Sequence, residues 1–164
     1  MNAPAAIVLA GGRGARMGGI AKPLLVADGA TLLARTVAAA RAAGADPLIV
    51  VGPDAVPGAE RVLEDPPFGG PLAGIGAALP GIDAEEALVL AADLARPDLA
   101  VAALVAAESG PDGVVLVDPD GRRQWLNARY RVAVLRARLT ELGDLDGAPA
   151  RLLAEVLRLG FAPG

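Results

Sequence analysis

The sequence predicts an α/β fold, a three-layer α/β/α sandwich on a mainly parallel sheet, and three observations predict it. Short, wholly apolar runs recur along the chain and stop abruptly at glycine or aspartate, as strands buried on both faces do. Between them lie stretches whose apolar residues recur at helical spacing. Strands and helices alternate in this way when helices cover both faces of one sheet. With 164 residues and neither an internal repeat nor a long linker, the chain suits one domain spanning 1–164.

The elements follow in order. Ala5–Ala10 (AAIVLA) reads as the first buried strand and runs into the basic, glycine-rich loop Gly11–Gly19 (GGRGARMGG). Thr31 has N-cap chemistry, and the helix it opens carries Leu32, Leu33 and Val37 before an Ala-rich stretch that Gly44 ends. Leu48–Val51 (LIVV) is a second buried strand, with a shorter one at Arg61–Leu63. Asp65–Gly76 is a Pro/Gly-rich loop entering a short helix near Leu72–Leu79. Ala87–Ala92 (ALVLAA) repeats the strand signature and ends at Asp93. Pro97 opens a helix that runs to about Glu108, since its missing N–H costs nothing in a first turn. Val114–Val117 is a further strand; Asp118-Pro119-Asp120-Gly121 is a turn leading into a mixed stretch, Gln124–Tyr130. Helical patterns close the chain at Val132–Leu142 and Ala150–Leu159.

Composition narrows the chemistry. The chain has no Cys and no His, which removes disulfides, thiolate sites, histidine bases and the common zinc sites. Carboxylates, Lys, Arg, hydroxyls and backbone N–H groups remain, an inventory suited to phosphate chemistry with a hard cation. A net charge of -4 and an aromatic content of 2% argue against a nucleic-acid surface. There is no basic, apolar leader at the start and no apolar run approaching the roughly 20 residues of a membrane span, so a soluble, cytoplasmic protein is expected.

In open α/β sheets, ligands bind beyond the carboxyl ends of the strands. The first strand delivers Leu9, Ala10, Gly11 and Gly12 to that edge. Gly11, Gly12 and Gly14 let backbone N–H groups close round an anion, and Arg13, Arg16 and Lys22 add positive charge in an acidic protein. A phosphate-binding loop is the reading this supports; the plainer alternative is a surface loop solubilised by arginine. Neither standard glycine motif fits. A phosphate loop of the GK[ST] kind needs Gly next to Lys, whereas Ile20 and Ala21 separate Gly19 from Lys22. A dinucleotide fingerprint from Gly12 needs a small residue where Met17 stands, which disfavours a nicotinamide- or flavin-dependent oxidoreductase.

The segment Leu9-Ala10-Gly11-Gly12-Arg13-Gly14-Ala15-Arg16-Met17-Gly18-Gly19-Ile20-Ala21-Lys22 resembles the signature of the molybdenum cofactor guanylyltransferases, in the MobA-like NTP transferase family. It departs from that signature at Ala21, where the family usually carries Asp. Glu64-Asp65 followed by Gly70-Pro71-Leu72-Ala73-Gly74 is similar to the family's second signature. The resemblance implies a Rossmann-like fold of the nucleotide-diphospho-sugar transferase type, with Asp65 on the guanine nucleotide and the Gly70, Pro71 and Leu72 backbone at the ligand cleft. Asp93 ends its strand as a lone acceptor that calls for a cation or several N–H donors, and the resemblance makes it the Mg²⁺ ligand. Gln124-Trp125-Leu126 is similar to a substrate-facing segment of some members, which places Trp125 either at the pterin or simply in the core.

The activity so implied is transfer of GMP from GTP to the phosphate of molybdopterin, with Lys22 and Arg16 stabilising the departing pyrophosphate and Mg²⁺ on Asp93. The acceptor phosphate is already anionic, so a histidine base is not required. The implied partners are GTP, a molybdopterin-type substrate and a receiving molybdoenzyme or its chaperone, with neither nucleic acid nor membrane. Two alternatives stay open: a cytidylyltransferase or other NTP transferase of the same fold, and a GTP-binding regulatory protein without turnover. The second draws on Ala21 and on residues 150–164, which carry no counterpart of the family's late Asp/Asn-rich segment.

Overall fold

The computed structural model describes residues 2–11, 16–17, 20–21, 25–27, 30–67 and 69–164, with backbone alone at 16–17, 20–21 and 27. In chain order the elements are β1 (Ala5–Leu9), β2 (Arg16–Met17), β3 (Ile20–Ala21), β4 (Val26–Ala27), β5 (Ala30–Thr31), α1 (Leu32–Ala42), β6 (Leu48–Val51), β7 (Glu60–Val62) and α2 (Pro71–Ala78). A 3₁₀ turn (Leu79–Gly81) follows, then β8 (Glu86–Ala91), α3 (Pro97–Ala106), β9 (Gly113–Val117), β10 (Arg123–Arg131), α4 (Val132–Leu142), α5 (Arg151–Ala154) and β11 (Leu159–Pro163).

Seven strands form one sheet in the order β11-β9-β10-β8-β1-β6-β7. All neighbours are parallel except those of β10, which runs antiparallel to both β8 and β9. The short pairs β2-β3 and β4-β5 are separate antiparallel ribbons. Alternation along β1 explains the layers. Ala5 and Ile7 face a core shared with α2, α4 and α5, while Ala6 and Val8 face one shared with α1 and α3. Every residue from Ala5 to Val8 is fully buried, which is why the strand tolerates no polar position. The three-layer sandwich with a mainly parallel sheet is therefore the fold of this chain.

Local chemistry sets the helix ends. The Thr31 hydroxyl accepts the Ala34 N–H at 3.0 Å and starts α1. Pro71 and Pro97 each occupy a first turn, where their lack of an N–H is harmless.

Two expectations are corrected. Gln124–Tyr130, a mixed stretch in the sequence, is the greater part of a nine-residue strand, β10. The helical pattern at Ala150–Leu159 yields only the four residues Arg151–Ala154. From Leu159 the chain is recruited as β11, pairing Leu159 with Gly113 and Pro163 with Val117. Backbone pairing with an existing strand outweighs a short amphipathic pattern, because four to ten helical residues are marginal by themselves.

Candidate functional site

The order of the sheet creates a crevice. From β1 the chain passes through α1 to β6 on one side; from α2 it returns to β8 on the other. Loops leaving such a switch point diverge and leave space for a ligand at the carboxyl ends of the strands.

The end of β1 is tied on both sides. The Ala10 N–H donates to the Val51 carbonyl at 2.8 Å, and the Ala92 N–H donates to the Leu9 carbonyl at 3.1 Å. Leu9, Ala10 and the exposed Gly11 thus leave the sheet next to the end of β8, in the turn after which Asp93 stands. Gly52 abuts this exit: its φ is +152°, and a Cβ there would lie 3.1 Å from both the Ala10 carbonyl carbon and the Gly11 nitrogen. A side chain at position 52 would therefore push against the mouth of the glycine loop.

The second motif has a packing explanation. A Cβ on Gly74 would lie 3.2 Å from Val51 Cγ1 and 3.3 Å from Leu9 Cδ2 and Glu64 Oε2. Its lack of a side chain lets α2 rest directly on the ends of β1 and β6. Gly70 caps α2 with φ +90° and no side-chain acceptor, so the unsatisfied N–H groups of the first turn are left for other acceptors. Leu72 is fully buried, so only its backbone is available to a ligand. Asp65 is exposed on the loop before α2, and it is Glu64, half-buried, that lies beside Gly74.

Asp93 is exposed in the turn after β8. It does not cap α3; the cap position is Arg96, whose guanidinium pairs with Asp98 at 3.0 Å. That hydrogen bond holds the Asp98 carboxyl below its ordinary pKa. Among the described residues no hydrogen bond or ion pair engages the Asp93 carboxylate, and no three carboxylates converge into a ready-made metal site. A carboxylate in this position fits a hard cation such as Mg²⁺, which takes only one or two protein carboxylates. Gly12, Arg13, Gly14 and Lys22 lie outside the described residues. Arg16 enters only through its backbone in β2, paired with Ala21.

The sequence singled out Gln124-Trp125-Leu126 at this edge, but not the bulge that contains it, nor Asn127 or Asp146. Asn127 is buried, and its Oδ1 accepts the Ala91 N–H at 3.0 Å, tying β10 to the last residue of β8. The register of β10 against β9 jumps between Gln124 and Ala128, so Trp125, Leu126 and Asn127 bulge out beside the crevice. The Gly147 N–H donates to the Gly69 carbonyl at 2.9 Å, which brings Asp146 to the loop that opens α2. The only hint in the sequence was the turn chemistry of Asp144-Leu145-Asp146-Gly147. Asp118 and Asp120 belong to a turn as expected: Asp118 Oδ1 accepts the N–H groups of Asp120 and Arg122 at 3.0 and 2.9 Å.

Comparison with known proteins bears on the family and the fold. A family model described as the MobA-like NTP transferase domain matches residues 6–159. No curated protein matches the sequence. A homolog of Mycobacterium tuberculosis Rv0371c from Mycobacterium sp. strain JC1 superposes with a TM-score of 0.69 at 26% identity, over 98% of this chain and 85% of that one. The molybdopterin-guanine dinucleotide biosynthesis protein A of Archaeoglobus fulgidus gives a TM-score of 0.64 at 21% identity, over 96% of this chain and 82% of its own. Rv0371c of M. tuberculosis H37Rv, crystallised in complex with manganese, gives 0.63 at 20% identity, over 99% and 88%. No described helix is long and apolar enough to cross a membrane.

Proposed function

Since the chain belongs to the MobA-like NTP transferase family, and is on that ground a nucleotidyltransferase, we propose that it transfers GMP from GTP to the phosphate of a molybdopterin-type acceptor. The observation that carries this reading is the meeting of three elements at one sheet edge: the β1 exit at Leu9–Gly11, the start of α2 at Gly70, and the free carboxylate of Asp93. The similarity to an archaeal molybdopterin-guanine dinucleotide protein supports the choice of acceptor, and the manganese complex of Rv0371c supports use of a divalent ion.

In this reaction an oxygen of the acceptor phosphate attacks the α-phosphorus of GTP. The bond from that phosphorus to the bridging oxygen breaks, and pyrophosphate leaves with the electron pair. No proton has to be removed from the nucleophile, in keeping with a chain that lacks histidine. Backbone N–H groups of Gly11, Gly12 and Gly14 hold the triphosphate tail, and Arg13 adds to their positive field. Lys22 and Arg16 stabilise charge gathering on pyrophosphate, and Asp65 reads the base. Asp93 would hold Mg²⁺, which would neutralise charge on the phosphates. Catalysis of this kind is positioning plus charge stabilisation.

The test is pyrophosphate release from GTP with Mg²⁺ and molybdopterin, alongside thermal shifts with GTP, CTP and ATP. Release together with a GTP preference supports the proposal. A CTP preference makes the chain a cytidylyltransferase, and GTP binding without release makes it a nucleotide-binding regulator.

A further inference from the structure

Arg123 is held by aromatic rings rather than by carbonyls or carboxylates. Arg129, Arg131, Arg136 and Arg138 spend their guanidinium donors on backbone carbonyls or carboxylates. Among the described residues the Arg123 side chain makes no hydrogen bond or ion pair. Its guanidinium carbon lies 5.6 Å from the centre of the Trp125 ring and 5.0 Å from that of Phe161. Two rings thus steady a cation whose N–H donors are left uncommitted, in a protein of net charge -4. It lines an open cavity of about 560 Å³ with Val117, Gly121, Phe161, Ala162 and Pro163. Phe161 is 56% exposed, so the face of its ring is open to the cavity.

The topology places this cavity. Strands β8 and β9 both run antiparallel to β10 and so point the same way, and β11 runs parallel to β9. Val117 and Pro163 therefore end at the carboxyl edge where β8 delivers Asp93, and β10 begins there with Arg123. In sheet order the cavity lies beyond β10, on the side of β8 away from β1. Two strand spacings, about 10 Å, separate the end of β9 from that of β8.

We propose that Arg123, steadied by Trp125 and Phe161, forms a site that recognises a phosphate monoester. The binding of phosphate at Arg123 is tested independently of the nucleotidyl-transfer reading. Guanidinium donors suit phosphate oxygens in a bidentate pair, and the exposed rings offer a face to any flat group attached to that phosphate.

Trp125 is the single tryptophan of the sequence, so intrinsic fluorescence reports on this cavity directly. The wild-type protein is titrated with phenyl phosphate and with inorganic phosphate, and Arg123→Gln and Arg123→Lys are titrated in the same way. GTP affinity is measured separately by calorimetry. Phenyl phosphate is expected to perturb the emission and to bind more tightly than inorganic phosphate. Its affinity should fall about tenfold in Arg123→Gln and less in Arg123→Lys, with GTP affinity unchanged. No response in the wild type, or equal affinity in Arg123→Gln, overturns the subsite and assigns Arg123 to covering the two rings. A loss of GTP affinity in Arg123→Gln equal to the loss of phenyl phosphate also overturns it, because the residue would then serve the nucleotide. A wild type that binds phenyl phosphate but not GTP sinks the proposed function and leaves the anion site standing.

Discussion

The hydroxyl of Tyr130 donates to the carbonyl of Trp125 at 2.7 Å, closing the bulge of β10 from its buried side. Tyr130 is fully buried on the face shared with α2, α4 and α5, whereas Trp125 is half-buried at the carboxyl edge. A core hydrogen bond therefore fixes a surface feature next to the crevice, including Trp125, one of the two rings against Arg123.

Tyr130→Phe should keep the fold but leave the Trp125 carbonyl without its donor, for a loss of about 1–3 kcal/mol in urea unfolding. Burial also pushes the Tyr130 phenol well above its ordinary pKa, so it stays neutral in the native state. The unfolded phenol ionises near pH ~10, so this contribution to stability is complete below that pH and drains away as pH rises above it. The stability of wild type relative to Tyr130→Phe should shrink above that point; a constant difference would contradict the assignment.

Asp93→Asn should leave thermal stability within about 0.5 kcal/mol of wild type, since the exposed side chain has no partner among the described residues. Pyrophosphate release should fall at least about a hundredfold, a loss of the size expected when a group positioning phosphate charge is removed. Retained turnover at saturating Mg²⁺ would remove Asp93 from the metal.

Gly74→Ala tests whether the second glycine motif is a packing device. Its new methyl would meet Val51, Leu9 and Glu64 at 3.2–3.3 Å, so α2 must lift or its neighbours must shift. The expected cost is about 1–3 kcal/mol, with weaker GTP binding because the start of α2 moves off the strand ends. Unchanged stability and affinity would show that the site does not depend on this close approach.

Asn127→Ala removes the acceptor from the Ala91 N–H, whereas Asn127→Asp keeps an oxygen there. Alanine should destabilise by about 1–3 kcal/mol and raise the acceptor KM more than the GTP KM; aspartate should restore most of the stability. Equal behaviour of the two variants would mean that the side-chain oxygen does not hold β10 against β8.

The parts of the fold visible in the sequence are those specified by neighbouring residues. Wholly apolar runs marked β1, β6, β8 and β9, because strands covered on both faces admit no polar side chain. Thr31 and the period of Val132–Leu142 marked α1 and α4. Strand β10 was hidden by Arg129, which pattern reading assigns to solvent. In the fold it is buried and satisfied by Glu86 at 2.8 Å and by the carbonyls of Leu104 and Ala107. Strand β11 was hidden because its partner, Gly113–Val117, lies more than forty residues back.

The same division holds at the site. The sequence alone determined the chemical inventory: a cationic glycine loop after the first strand, a carboxylate ending a later one, and no histidine or cysteine. Those are properties of residue type and short spacing, which survive in any fold. Only the tertiary structure decided that Gly74 seats α2 on Leu9 and Val51, that Asn127 locks β10 to β8, and that Arg123, Trp125 and Phe161 meet. Each of these joins residues far apart in the chain through strand order and register, and a local pattern does not encode which strands become neighbours.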